Sequence, residues 1–202
     1  MKSEATVFIV DDDPGVRRSL RMLMKSVGLP CETFESGPDF LEAFDPNRPG
    51  CLVLDVRMPG MSGLELQEKL AAMAGATPPV VFMTAHGDVP MAVSAMKSGA
   101  LDFIQKPFRD QEMIDRIQKA LALDKQARKS NAGKEEVLAR MERLTPRERE
   151  VLDLIVTGKP NKGIAFELGV SERTVEIHRS RVMRKMEAES LASLVQMVLR
   201  LK

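Results

Sequence analysis

Four short apolar runs in the first half of this chain each end in a polar side chain. Val7-Phe8-Ile9-Val10 leads into Asp11 and Asp12, and Cys51-Leu52-Val53-Leu54 leads into Asp55. Val80-Val81-Phe82-Met83 ends in Thr84, and Leu101-Asp102-Phe103-Ile104-Gln105 ends in Lys106-Pro107. In an open parallel sheet the C-terminal strand ends gather at one crevice, and ligands bind there. Acids, hydroxyl and ammonium would then face one another in a single site.

Three carboxylates held together repel, which raises the cost of ionising all of them. A divalent cation removes that cost. Oxygen ligands without a Cys/His cluster favour magnesium over zinc. A carboxylate beside magnesium can attack a phosphoryl group and become an aspartyl phosphate. The transfer needs positive charge at the phosphoryl oxygens, which Lys106 and the metal would share. Thr84 can hydrogen-bond a phosphoryl oxygen.

With Asp11/Asp12, Asp55, Thr84-Ala85, Phe103 and Lys106-Pro107 in this order, residues 5–123 resemble the receiver domain of bacterial response regulators. The stretch Gly87-Asp88-Val89-Pro90-Met91-Ala92-Val93 is most similar to the FixJ branch. The resemblance implies that a histidine kinase phosphorylates Asp55. It implies magnesium held by Asp12, Asp55 and the backbone carbonyl of Arg57, with Asp11 acting through water. It also implies that Thr84 and Phe103 form the switch pair. His86, in the loop after Thr84, is expected to be structural rather than catalytic.

Helical patterns at 15–27, 37–44, 62–73, 89–99 and 110–123 alternate with the strand signals. Ser62-Gly63-Leu64-Glu65 reads as a capping box, and Asp110 as a cap for the fifth helix. Five strands with intervening helices predict an α/β doubly wound, flavodoxin-like (βα)5 domain over 1–123. Residues 124–139 read as a linker, helical in part, with its break expected at Ser130-Asn131-Ala132-Gly133.

From residue 140 on, every signal is helical. Thr145-Pro146-Arg147-Glu148 combines an N-cap, proline at N1 and an acid at N3, opening a helix to Thr157. Asn161 is expected to cap the next helix and Ser171 a third, through about Met186. The last helix, about 190–201, puts Leu191, Leu194, Val195, Val198 and Leu199 on one stripe. A helix, a turn at Gly169 and a second helix make a helix-turn-helix, with Ala165 at the close approach and Val170 and Val175 in a small core. Arg173, Thr174, His178, Arg179, Arg181, Arg184 and Lys185 give the second helix a cationic face.

Leu144–Leu152, Asn161–Ala165 and Val170–His178 make residues 140–202 similar to the LuxR/NarL-type DNA-binding domain. The resemblance implies an all-α four-helix domain whose helix 172–186 enters the major groove. Glu176, Ile177 and Ser180 would face bases, and Lys162, Arg173, Thr174, Arg179 and Arg181 would contact phosphate or groove. Many relatives carry a basic residue where this chain has Glu176. His178 is expected to pack or face phosphate rather than bind metal.

Charge is divided unevenly. Residues 1–123 hold 13 Lys and Arg against 17 Asp and Glu, a net of −4. Residues 140–202 hold 13 against 9, a net of +4. Two halves of opposite sign point to two domains with different partners. Cys31 and Cys51 form no CxxC motif and read as small buried hydrophobes. No apolar stretch approaches a membrane span and no signal peptide opens the chain, so the expected compartment is the cytoplasm.

The expected protein is a response regulator that dimerises on phosphorylation and binds promoter DNA. Its expected partners are a histidine kinase, double-stranded promoter DNA, RNA polymerase and a second copy, with no membrane. Its catalysis is limited to its own phosphotransfer and slow autodephosphorylation. One alternative is a magnesium-dependent aspartyl-phosphate phosphatase. Phosphatases of the haloacid-dehalogenase type place an acid two residues after the nucleophile, and Arg57 stands there. The other is a DNA-binding regulator indifferent to phosphate, against which the complete acid-threonine-lysine set argues.

Overall fold

The computed structural model describes residues 4–73, 75, 77–85 and 95–201. The chain divides into two compact units, with the boundary after Arg128.

In the first unit β1 (Thr6–Val10), β2 (Cys31–Phe34), β3 (Gly50–Asp55), β4 (Val80–Thr84) and β5 (Asp102–Gln105) form one parallel sheet. Its order is β2-β1-β3-β4-β5, the expected doubly wound arrangement. Successive strand residues point to opposite faces, and both faces are covered over the central strands, which is why β1, β3 and β4 read as nearly unbroken apolar runs. Val7, Ile9, Cys51, Val53, Val81 and Met83 pack with Leu20, Met24, Met113 and Ile117 on one face. Phe8, Val10, Leu52, Leu54 and Phe82 pack with Phe40, Leu66 and Leu70 on the other.

The helices start where the sequence supplies caps. Asp13 caps α1 (Pro14–Ser26) by accepting from Gly15 N and Val16 N. Ser36 caps α2 (Gly37–Ala43), and the Ser62–Glu65 capping box opens α3 (Gly63–Ala72) as expected. The helix expected at 89–99 falls largely outside the described residues, as does His86; residues 95–97 are helical.

The helix that follows β5, α4, runs from Asp110 to Glu142, far beyond the expected end at 123. Asp110 is its first residue rather than its cap. The expected break at Ser130-Asn131-Ala132-Gly133 is absent. Ala, Lys, Arg, Gln and Glu flank that stretch, and their helix propensity outweighs the roughly 1 kcal/mol that one glycine costs.

Cys31 and Cys51 both pair with Val7, from opposite sides of β1. Two strand spacings separate them, about 10 Å, too far for a disulfide. Both are free thiols, and burial pushes the Cys51 thiol up to about 12.

The second unit packs α5 (Pro146–Val156), α6 (Asn161–Leu168), α7 (Glu172–Lys185) and α8 (Leu191–Leu199) around one core. Val137 and Met141 from the end of α4 join Val151, Leu152, Ile164, Val175, Val182 and Met186 there. The Thr145–Glu148 capping box forms, and Ser171 caps α7. Asn161 does not cap α6: Pro160 holds the N-cap position and no side chain bonds there. The α8 stripe is only partly buried. Leu194 and Val198 enter the core, whereas Leu191 and Leu199 stay exposed. Among the described residues, no helix is long and apolar enough to cross a membrane.

Candidate functional site

The strand register brings the expected polar ends together. Val10 pairs with Leu54, Asp55 with Met83 and Thr84 with Gln105, so the ends of β1, β3, β4 and β5 lie side by side. Lys106 Nζ donates to Asp11 Oδ2 and to Asp55 Oδ1, each at 2.7 Å. Asp11 is 1 % exposed and Asp55 6 %. A single ammonium therefore bridges two carboxylates in a poorly solvated cleft and balances the charge of only one of them.

That burial has electrostatic consequences. Desolvation pushes the Asp11 carboxyl above its ordinary range, against the hydrogen bonds from Lys106 and Asp13 N that favour its charged form. Desolvation alone would lower Lys106. The bonds to Asp11 and Asp55 outweigh it and hold the ammonium above its usual range.

The three acids after β1 do three different things. Asp11 faces Lys106 and accepts from Asp13 N at 2.9 Å. Asp13 caps α1. Asp12 is exposed, and among the described residues its carboxylate has no partner. Arg17 fixes this loop from below, donating from Nη1 to the carbonyls of Asp11 (2.7 Å) and Asp12 (2.8 Å).

Asp55 is oriented by its own loop as well. Arg57 N donates to Asp55 Oδ2 at 2.7 Å, while the Arg57 side chain is exposed. Gly63 lets α3 start close behind the site. A Cβ there would lie 2.2 Å from the Asp55 carbonyl oxygen, so no other residue fits without moving the helix. Thr84 is buried, and its carbonyl accepts from Lys106 N at 2.7 Å. Phe103 is half-buried against the core on the α3 side and pairs in register with Phe82.

The donors fit magnesium in kind. Asp12, Asp55 and the Arg57 carbonyl are hard oxygen ligands. Among the described residues no three His, Cys, Asp or Glu side chains converge as a metal group. A main-chain carbonyl and water would complete the shell, as suits an ion that keeps several waters.

In the second unit, α7 presents Arg173, Glu176, Ile177, Ser180, Arg181 and Arg184 to solvent. Their spacing places them on one side of the helix, opposite buried Val175 and Val182. Arg179 and His178 are half-buried, and His178 Nδ1 is enclosed without a hydrogen-bond partner. The Thr174 hydroxyl lies 2.8 Å from Ser171 Oγ, inside the cap. Lys162 is exposed on α6. Lys185, counted with the cationic face from sequence, turns inward: its Nζ donates to Glu148 Oε2 at 2.6 Å.

Signals for some of these residues were absent from the sequence. Arg17 and Gly63 act on main-chain atoms brought close only by folding, whereas Asp13, directly before Pro14, is a local N-cap signal. Lys185 and Glu148 stand 37 residues apart, and nothing in local spacing links them.

Residues 7–118 match the response regulator receiver domain, and residues 142–198 match the luxR family of bacterial regulatory proteins. The chain is 47 % identical to nodulation protein W of Bradyrhizobium diazoefficiens over 195 residues, covering 96 % of this chain and 86 % of that one. It is 47 % identical to the transcriptional regulatory protein FixJ of Azorhizobium caulinodans over 199 residues, covering 98 % and 94 %. Among solved structures, the response regulator StyR matches with a TM-score of 0.87 at 47 % identity, covering 98 % of this chain and 100 % of that one. Full-length FixJ from B. japonicum matches at 0.60 and 41 %, covering 99 % and 98 %. The chain belongs to the FixJ/NarL family of response regulators, two-component transcription regulators that join a receiver domain to a LuxR-type DNA-binding domain.

Proposed function

We propose that this protein accepts a phosphoryl group on Asp55 from a histidine kinase, then dimerises and binds promoter DNA more tightly. The observation that carries the reading is the double contact of Lys106 with Asp11 and Asp55, 2.7 Å each, at adjacent strand ends. It holds a carboxylate ready as nucleophile beside a cation that can stay with the transferred group.

Asp55 Oδ attacks the phosphorus of a phosphohistidine. The new O–P bond forms as the P–N bond breaks, and the leaving imidazole keeps the electron pair. Arg57 N and Lys106 orient the carboxylate, so the attack starts from a fixed geometry. Lys106 can then swing its ammonium to a phosphoryl oxygen, with the Thr84 hydroxyl as a second donor. Asp12, Asp55 and the Arg57 carbonyl would hold magnesium, which supplies further charge neutralisation when bound. Slow hydrolysis of the acyl phosphate resets the switch. Arg57 stands where a phosphatase of the haloacid-dehalogenase type needs an acid, which argues against steady turnover.

Phosphorylation adds negative charge at the strand ends, and Thr84 moving toward it would free space for Phe103 to turn. The face made by β5 and the first part of α4, with the neighbouring segment expected from sequence as helix 89–99, would change and pair with a second copy. On α8 the exposed Leu191 and Leu199 offer an apolar edge for the paired second units. On DNA, Glu176, Ile177 and Ser180 would read bases, while Lys162, Arg173, Thr174, Arg179 and Arg181 would meet phosphate or groove. RNA polymerase is the further partner of such a regulator, and the cytoplasm its compartment.

The test is labelling by acetyl phosphate in magnesium. Asp55→Asn should take up no phosphate, because an amide is a poor nucleophile. Stoichiometric labelling of that variant would remove Asp55 from the role.

A further inference from the structure

Among the described residues, five helix ends close with one main-chain motif. Just past each helix a residue turns left-handed, its N–H donates three residues back, and the next N–H donates five residues back. Four of those left-handed positions are Gly28, Gly99, Gly158 and Gly169. The fifth, at the end of α7, is Glu187, with φ of 54°; among the described residues it is the one non-glycine with positive φ. Its N–H donates to the Arg184 carbonyl at 3.2 Å, and Ala188 N donates to the Met183 carbonyl at 3.0 Å. The main chain asks for glycine here as at the other four ends.

Stability alone gives no reason for a glutamate. A Cβ disfavours this backbone. The ion pairs of Glu187 are half-exposed, where such pairs contribute little. What the side chain does is reach α4. Its Oε2 lies 3.0 Å from Arg140 Nη2, and its Oε1 lies 3.4 Å from Arg143 Nη1. Arg140 Nη1 donates to the carbonyl of Met186, the cap residue of α7, at 3.1 Å. Glu136 steadies the same guanidinium at 2.7 Å. Directly beneath, Val137 and Met141 share a core with Val182 and Met186.

We propose that Glu187 and Arg140 form a clip that positions the recognition helix α7 for DNA reading; the inference rests on the DNA-binding reading above. The helix has 14 residues, so it is about 21 Å long, and a tilt of about 5° pivoting at one end moves the other by about 2 Å and the middle, where the base-facing residues lie, by about 1 Å. Such a shift misplaces Glu176, Ile177 and Ser180 against base edges while leaving the flexible arginines able to reach phosphates. The clip is thus a device for selectivity, made by positioning residues that touch no DNA themselves. It also makes the end of α4 a working part of the reading unit.

The test uses the full chain and a duplex selected from a random pool by the phosphorylated wild type, with a scrambled duplex as reference. Glu187→Gly relieves the left-handed backbone and removes the carboxylate. It should unfold at the same or a higher temperature than wild type. Its affinity ratio for selected over scrambled duplex should nonetheless fall about tenfold, the worth of one good base contact. The salt dependence should be unchanged, since no phosphate contact is removed. Arg140→Gln should lose selectivity similarly, and the double variant should be no worse than the worse single one. A ratio within about twofold of wild type in Glu187→Gly, where one base contact would cost about tenfold, would overturn the clip. Loss in only one of the two single variants would overturn the pair. A wild-type chain that enriches no duplex would instead remove the DNA-reading premise, and the clip with it.

Discussion

Lys106 joins the two carboxylates on which phosphotransfer depends. One ammonium shared by two buried carboxylates is a resting arrangement that an arriving anionic phosphoryl group can reorganise. The residues with this chemistry were legible because each ends an apolar run: Asp11, Asp55, Thr84 and Lys106. Their supports were not. Gly63 matters through a main-chain oxygen 2.2 Å from where its Cβ would be, a contact with no trace in local sequence. Gly63→Ala should fold, with α3 displaced, and should slow acetyl phosphate labelling by roughly a hundredfold, as a misplacement near 1 Å can. Stopped-flow labelling at saturating magnesium checks this. An unchanged rate would mean that the Asp55 loop is set by something other than the α3 contact.

Helix starts were the most readable elements, because caps are local. Ser62, Thr145 and Ser171 do what their spacing predicts. Asn161 does not, since Pro160 already holds the extended position before α6. The end of the first unit was least readable. Asp124, 4 % exposed, accepts from Gly50 N at 3.0 Å and from Arg128 Nε at 2.8 Å. Arg128 also donates to the carbonyls of Pro46 (2.9 Å) and Arg48 (2.7 Å), so α4 is clamped to the start of β3 past the expected domain edge. In the second unit Glu148 is the comparable element brace, 2 % exposed between the start of α5 and the end of α7. Burial alone would raise its carboxyl. The bonds from Lys185 and Thr145 outweigh that and hold it below the ordinary 4.5. A lowered folded value means the contribution is full above the unfolded value and is lost as pH falls through the folded one. The stability gap between wild type and Glu148→Gln should therefore be full at neutral pH and shrink as pH falls below the ordinary 4.5. Thermal unfolding of both proteins across that range measures it. A constant gap would show that the Glu148 charge contributes nothing.

For the whole molecule, sequence carried the division of labour well. Opposite net charges in the two halves and the switch from alternating to all-helical pattern separate the units. It did not carry the continuity of α4, because a glycine at 133 and polar neighbours read as a break while the surrounding helix formers decide otherwise. If phosphorylation drives pairing, sedimentation velocity with beryllofluoride and magnesium should show a dimer, and the untreated chain a monomer. A single species of unchanged size in both would remove dimerisation from the switch. Phosphorylation control of DNA binding is tested most directly by the affinity of the full chain for a selected duplex, measured with and without acetyl phosphate and magnesium, for wild type and Asp55→Asn. Treatment should tighten binding by wild type only, about tenfold or more where two linked reading heads engage one DNA. Equal affinity before and after treatment of wild type, or the same gain in Asp55→Asn, would contradict it.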